Sequence, residues 1–180
     1  MPKFIAFLRA INVGGHVVKM DQLRQSFEAL GFANVETFIA SGNVIFEAKS
    51  KDTAVLQRKI EKHLHQALGY EVATLVRTLA ELEQVANHRP FAETEMNLPG
   101  NTLYVGFIAD NPAKAASQKV EALATDADDL KVAGREVYWL LKHTNFSDSK
   151  LSGAILERTL GMKATFRNIN TVRRILKKYS

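Results

Sequence analysis

Val35-Glu36-Thr37-Phe38-Ile39-Ala40-Ser41-Gly42-Asn43-Val44-Ile45-Phe46-Glu47 is the stretch that decides the fold. Two strand-like runs, 35–40 and 43–47, flank Ser41-Gly42, a pair suited to a tight reversal, so the segment reads as a β-hairpin. Helical patterns lie on both sides of it. Met20, Leu23, Phe27 and Leu30 recur at helical spacing and stop at Gly31, and Leu56, Ile60, Leu64 and Leu68 mark a second helix ended by Gly69. Beyond the helices stand two more strands. Lys3–Ile11 is nearly all apolar, as in the middle of a sheet, and Glu71–Arg77 is the fourth strand. Thr78-Leu79-Ala80-Glu81 is a capping box opening a third helix, with Leu82 and Val85 on its inner side. The order is βαββαβ followed by α.

Residues 87–101 carry Pro90, Pro99 and Gly100 with little periodicity, which suits a linker. The same order then returns. Thr102–Ala109 is an apolar strand, and Asn111-Pro112 supplies a cap and a proline for a helix with Val120 and Leu123 inside. Leu130–Ala133 and Glu136–Leu141 form a hairpin around Gly134, a helix runs from the Lys150-Leu151-Ser152 segment to Gly161, and Lys163–Phe166 is a short strand. The last helix sets Ile169, Val172, Leu176 and Tyr179 on one arc and Arg173, Arg174, Lys177 and Lys178 on the other. The expected fold is α+β: two consecutive ferredoxin-like βαββαβ(α) units with antiparallel sheets. The expected division is 1–88, a linker at 89–101, and 102–180. The residues themselves do not visibly repeat.

A chain of 180 residues that is 46% hydrophobic and 24% charged has the composition of a folded protein. It has no cysteine, which removes disulfides, thiolate metal sites, Fe–S clusters and cysteine nucleophiles, and fits a reducing, cytoplasmic setting. No apolar run is long enough to span a bilayer, and none reads as a signal peptide, so a membrane is not an expected partner. The net charge of +5 is concentrated at the end: Lys163, Arg167, Arg173, Arg174, Lys177 and Lys178 occur after residue 162 with no acid among them. Such a patch suits nucleic acid or another anion, and equally a solvated helix face.

Strand direction places the polar loops. In a βαββαβ unit the loop after the first strand and the hairpin turn share one end of the sheet. That brings Arg9 and Asn12-Val13-Gly14-Gly15-His16 beside Ser41-Gly42-Asn43. Consecutive glycines let backbone N–H groups converge on an anion, with Ser41 and Asn43 as further donors, although the same residues also suit a sharp turn and an ordinary hairpin. In the second unit, Ser149-Lys150-Leu151-Ser152 is expected to approach Arg167-Asn168-Ile169-Asn170-Thr171. Two helix starts with Lys150 and Arg167 suit a phosphate or carboxylate, and Ser149 and Asn168 alternatively serve as plain caps.

At these same segments the chain resembles a bacterial family, domain of unknown function 1697. The resemblance is carried by Leu8-Arg9-Ala10-Ile11-Asn12-Val13-Gly14-Gly15, Ser41-Gly42-Asn43-Val44, Ser149-Lys150-Leu151-Ser152 and Ala164-Thr165-Phe166-Arg167-Asn168-Ile169-Asn170-Thr171-Val172. Ala10 stands where the family carries glycine, and Ile169 where it carries tryptophan, which weakens a close backbone approach at the first and a stacking role at the second. The resemblance implies ferredoxin-like subdomains and assigns no activity.

No P-loop, Rossmann glycine pattern, nucleophile elbow or H-E-x-x-H helix occurs. His16, His63, His65, His88 and His143 show no metal-like spacing, so no metal or cofactor is expected. One Phe46 in the third strand falls short of the alternating aromatics that stack RNA bases, and Phe4, Phe38 and Phe46 read as core. The leading expectation is binding of a phosphorylated or anionic ligand, a nucleotide or nucleic acid, through the glycine loop and the helix starts. Two alternatives stand beside it. One is an enzyme acting on a small anionic substrate, with His16 or Lys150 transferring protons; the other is a scaffold that binds proteins along exposed strand edges.

Overall fold

The computed structural model describes residues 1–9, 11, 14–39 and 42–180. The first sheet has the order β2-β3-β1-β4, from β1 (Lys3–Leu8), β2 (Ala33–Thr37), β3 (Asn43–Glu47) and β4 (Thr74–Thr78), all neighbours antiparallel. Helices α1 (Met20–Glu28) and α2 (Thr53–Leu68) lie between its strands in sequence, and α3 (Leu79–Asn87) follows it. After the one-turn helix α4 (Glu93–Met96), a second sheet repeats that order as β6-β7-β5-β8. Its strands are β5 (Asn101–Ile108), β6 (Asp128–Ala133), β7 (Glu136–Lys142) and β8 (Ala164–Asn168), with α5 (Lys114–Glu121), α6 (Gly153–Leu160) and α7 (Ile169–Tyr179).

Two units result, Met1–Glu83 with Ile175–Ser180, and Gln84–Arg174. The division falls within α3 and within α7. The stretch 89–101 expected as a linker therefore belongs to the second unit. It is tied to β5, where the Asn101 amide donates to the Leu98 carbonyl and Asn101 Nδ2 to the Glu95 carbonyl, at 3.0 and 2.9 Å.

Alternation along β1 explains why its sequence is apolar throughout. Phe4, Ala6 and Leu8 face the helix layer and pack with Leu23 and Phe27 of α1 and Leu56, Ile60 and Leu64 of α2. Ile5 and Phe7 point to the other face and are also fully buried. In the second unit, Ile108, Trp139, Leu141, Leu156 and Leu160 form the corresponding helix-side core. Each fully buried Phe or Leu contributes about 1.5–3 kcal/mol relative to exposure.

A repeat hidden in the sequence emerges from the register. Ile5 lies between Ile45 and Arg77, and Val105 lies between Tyr138 and Arg167. Arg77 and Arg167 thus occupy the same place in the two sheets. Each guanidinium donates through Nη1 to the carbonyl of the residue before it, at 3.0 and 2.9 Å. The outer edge of β4 is covered by side chains: the amides of Thr74, Val76 and Thr78 donate to Glu61, Gln57 and Glu81 at 2.8–2.9 Å. At the start of β8, Ala164 donates to Glu157 in the same way, at 3.0 Å. Three amides of the β4 edge are therefore already paired with side chains.

Local differences from the sequence reading have physical causes. The Thr78–Glu81 capping box forms as expected. By contrast, α5 begins at Lys114 with Ala113 at its cap position and no side-chain cap, so Asn111-Pro112 precedes the helix. Ser152 rather than Ser149 caps α6, accepting from the Ile155 amide at 3.3 Å. Phe38 is half-exposed at the hairpin end instead of joining Phe4 and Phe46 in the core.

Candidate functional site

The two units close the same rim of their sheets differently. In each, the last residue of the first strand donates to the hairpin turn: Leu8 to the Gly42 carbonyl at 2.8 Å, and Ile108 to the Arg135 carbonyl at 3.1 Å. This bond shows that the loop after the first strand and the hairpin turn do adjoin, as strand direction requires. The second unit closes the rim economically, with residues 109–113 and the two-residue turn Gly134-Arg135. The first unit has residues 9–19 between β1 and α1, and residues 38–42 between β2 and β3. The first unit thus carries more chain at this rim than the second, and binding residues are found disproportionately on such loops.

The longer loop is anchored at both ends. Ile11 and Val18 are buried in the helix-side core, while Gly14, Gly15, His16 and Val17 between them are exposed. Tyr70 makes a further tie, its hydroxyl donating to the Ile11 carbonyl at 3.0 Å while its ring stacks on His16 with centroids 3.8 Å apart. Gly14 and Gly15 have φ of +66° and +84°, and a Cβ on either would meet open space. Their glycine identity therefore answers to the left-handed backbone rather than to a close approach. Arg9 stands at the loop's root, its amide bonded to the Ala73 carbonyl at 2.9 Å.

The hairpin turn is braced from within. Asn43 is only 4% exposed, and its Nδ2 donates to the carbonyls of Phe38 and Ile39 at 3.0 and 3.3 Å. Its amide thus holds the Phe38 and Ile39 carbonyls from the base of β3. Ile39 has φ of +50°, costly for a β-branched residue, and its side chain is exposed. Gly42 is buried with φ of +110°. Asn12 and Ser41, both expected at this site, lie outside the described residues.

The second expected cluster comes together only in part. The start of α6 does approach β8, since a Cβ on Gly153 would sit 3.5 Å from the Phe166 ring. Phe166 faces the helix layer, so its neighbour Arg167, paired with Val105, points to the opposite face. Arg167 belongs to β8 rather than to a helix start, and its guanidinium lies on the other side of the sheet from Ser152 and the α6 start. Burial pushes it down to about 10, still protonated at neutral pH. Lys150 is exposed, Asn168 Oδ1 accepts the Asn170 amide at 2.9 Å as a cap, Asn170 Oδ1 accepts from Arg173 at 3.4 Å, and Thr171 is half-buried.

A family model described as "Protein of unknown function (DUF1697)" matches residues 1–138. The chain belongs to that family. The match takes in the glycine loop and the hairpin turn and ends before Ser149 and Ala164, so the two later segments lie beyond it. Among solved structures, this DUF1697 chain is similar to the conserved bacterial protein SP0830 from Streptococcus pneumoniae, with a TM-score of 0.72 and 22% identity over 98% of this chain and 97% of that one. At that identity the likeness speaks for the fold. No curated protein matches the chain.

Two further features of the DUF1697 chain escaped sequence reasoning. Asp128, 1% exposed, accepts from Trp139 Nε1 at 2.8 Å, Ser149 Oγ at 2.7 Å and Thr125 Oγ1 at 2.6 Å. Ser149 is thus spent on a buried carboxylate. The other feature is the end of α7. Arg173, Arg174 and Lys177 are exposed as expected, but Lys178 pairs with Glu36 at 3.4 Å. Among the described residues no cluster of His, Asp or Glu could hold a metal ion, and no helix is long and apolar enough to cross a membrane.

Proposed function

We propose that the rim of the first unit, built from residues 9–19 and 38–43, binds a phosphorylated or otherwise anionic ligand, a nucleotide or a nucleic-acid segment. The observation that carries this reading is the contrast between the two units: one rim is closed by minimal turns, while its counterpart carries an anchored, glycine-tipped loop. Consecutive glycines leave no Cβ to block an anion's approach to the backbone, Arg9 supplies positive charge at the root of the loop, and the His16 ring lies beside the glycines. The absence of cysteine supports a reducing, cytoplasmic setting for such a role.

The test is a thermal-shift screen at low salt against pyrophosphate, nucleoside mono-, di- and triphosphates, sugar phosphates and short RNAs. A ligand at 100 times its dissociation constant stabilises by about 2.7 kcal/mol, which a melting curve resolves. The expected result is a shift that disappears in His16→Ala and Gly15→Ala. For a nucleic-acid ligand, affinity should also fall steeply with salt. No shift with any probe at millimolar concentration, or a shift indifferent to both substitutions, rejects the proposal.

A further inference from the structure

The turn that forms half of this rim is gripped by the far end of the chain. Tyr179, in the last turn of α7, donates its hydroxyl to Glu36 Oε2 at 2.8 Å, and Lys178 Nζ reaches the same oxygen at 3.4 Å. Glu36 lies on β2, two residues before Phe38, the first residue of the turn. The Tyr179 ring meets Phe38 edge-on with centroids 5.8 Å apart, and Lys178 Nζ sits 5.4 Å above the Phe38 ring. Lys3 closes the far side, donating to the Tyr179 carbonyl at 3.4 Å. Phe38 in turn carries the carbonyl that Asn43 holds, and its own amide donates to the Asn43 carbonyl at 3.0 Å.

We infer that the last turn of α7 is a positioning latch for the ligand site, with Tyr179 and Lys178 acting through Glu36 to fix Phe38, the first residue after β2. The inference rests on the ligand reading above for its functional consequence, and on contacts alone for its structural one. β2 is an edge strand, paired on one side only with β3, and its register shifts between Ala33 and Glu36. A strand so weakly held at its outer side leaves the turn's position to whatever grips its end. Ring contacts and a hydrogen bond to a carboxylate supply that grip.

The experiment compares wild type with Tyr179→Ala, Tyr179→Phe and Glu36→Gln in the full chain. Amide hydrogen exchange is read at Phe38 and Leu8, whose bonds define the turn, and at Leu140 in the other sheet as reference. The latch predicts at least tenfold faster exchange at Phe38 in Tyr179→Ala, less in Tyr179→Phe, which keeps the ring, and no change at Leu140. It also predicts at least tenfold weaker binding of whichever screened phosphate compound the wild type binds. Unchanged exchange at Phe38, or acceleration that Leu140 shares equally, overturns the latch. If wild type binds none of the probes while Phe38 still accelerates alone, the latch stands and the ligand reading falls. If a probe binds wild type and Tyr179→Ala equally, with Phe38 exchange unchanged, the ligand reading stands and the latch falls. Tyr179→Phe and Glu36→Gln keep the comparison decisive should the alanine variant not fold.

Discussion

Asn43 shows how much a single amide can fix. With the side chain replaced by alanine, the Phe38 and Ile39 carbonyls lose their donor in a half-buried setting, an expected cost of about 1–3 kcal/mol in urea unfolding. Glu36 makes a second prediction. The Tyr179 hydroxyl, with Lys178 beyond it, holds its carboxyl below the ordinary value of 4.5. A depressed carboxylate stabilises the fold above its unfolded-state value and loses that contribution as pH falls through the folded one. Acid titration should therefore weaken the latch below about pH 4.5, and Glu36→Gln should flatten that part of the stability profile. Because Glu36 and Lys178 are both about half exposed, the effect is a small one. At this scale the sequence was an uneven guide. Glycines at left-handed positions and the Thr78 cap were legible because their backbone demands are local. The partners of Asn43 and Ser149, the Phe38 and Ile39 carbonyls and the Asp128 carboxylate, were not legible because only folding brings them together.

Among elements, β4 and β8 depend on side chains that finish their outer edges. Glu61→Ala strips the acceptor from the Thr74 amide, with an expected loss of about 1–3 kcal/mol by chemical denaturation and a greater tendency to self-associate in light scattering. Close approach makes another element-level constraint. A Cβ on Gly106 of β5 would lie 2.5 Å from the Phe166 ring, so Gly106→Ala should cost about 1–3 kcal/mol through overpacking. Strands and helices were readable to within a few residues because apolar periodicity and glycine stops are written along the chain. Arg167 was placed at a helix start because β8 extends through Asn168, two residues beyond the apolar run. That extension sets which face the guanidinium takes, and with it the fate of the second expected cluster.

For the whole molecule, the duplicated topology was legible and its residue-level echo was not. Arg77 and Arg167 match only once strand register is known, since the residues around them differ: Leu75-Val76-Arg77-Thr78 against Thr165-Phe166-Arg167-Asn168. The contrast between the rims makes a prediction at this scale. In a two-dimensional amide spectrum, ligand addition should shift residues of 9–19 and 38–43 and leave 109–113 and 134–135 in place. Shifts at both rims would mean that chain length at the rim is not what confers binding.

Asp128 has one more consequence. The indole bonded to it is the chain's single tryptophan, fully buried in the second sheet beside Phe146 and Phe166. Intrinsic fluorescence excited at the indole band is therefore a private reporter of that half of the molecule, silent about the half that carries the glycine loop. Fluorescence and far-ultraviolet circular dichroism melts should coincide only if both halves unfold as one cooperative block. Should they separate, a compound that raises the dichroism midpoint while leaving the emission midpoint unmoved has engaged the tryptophan-free half.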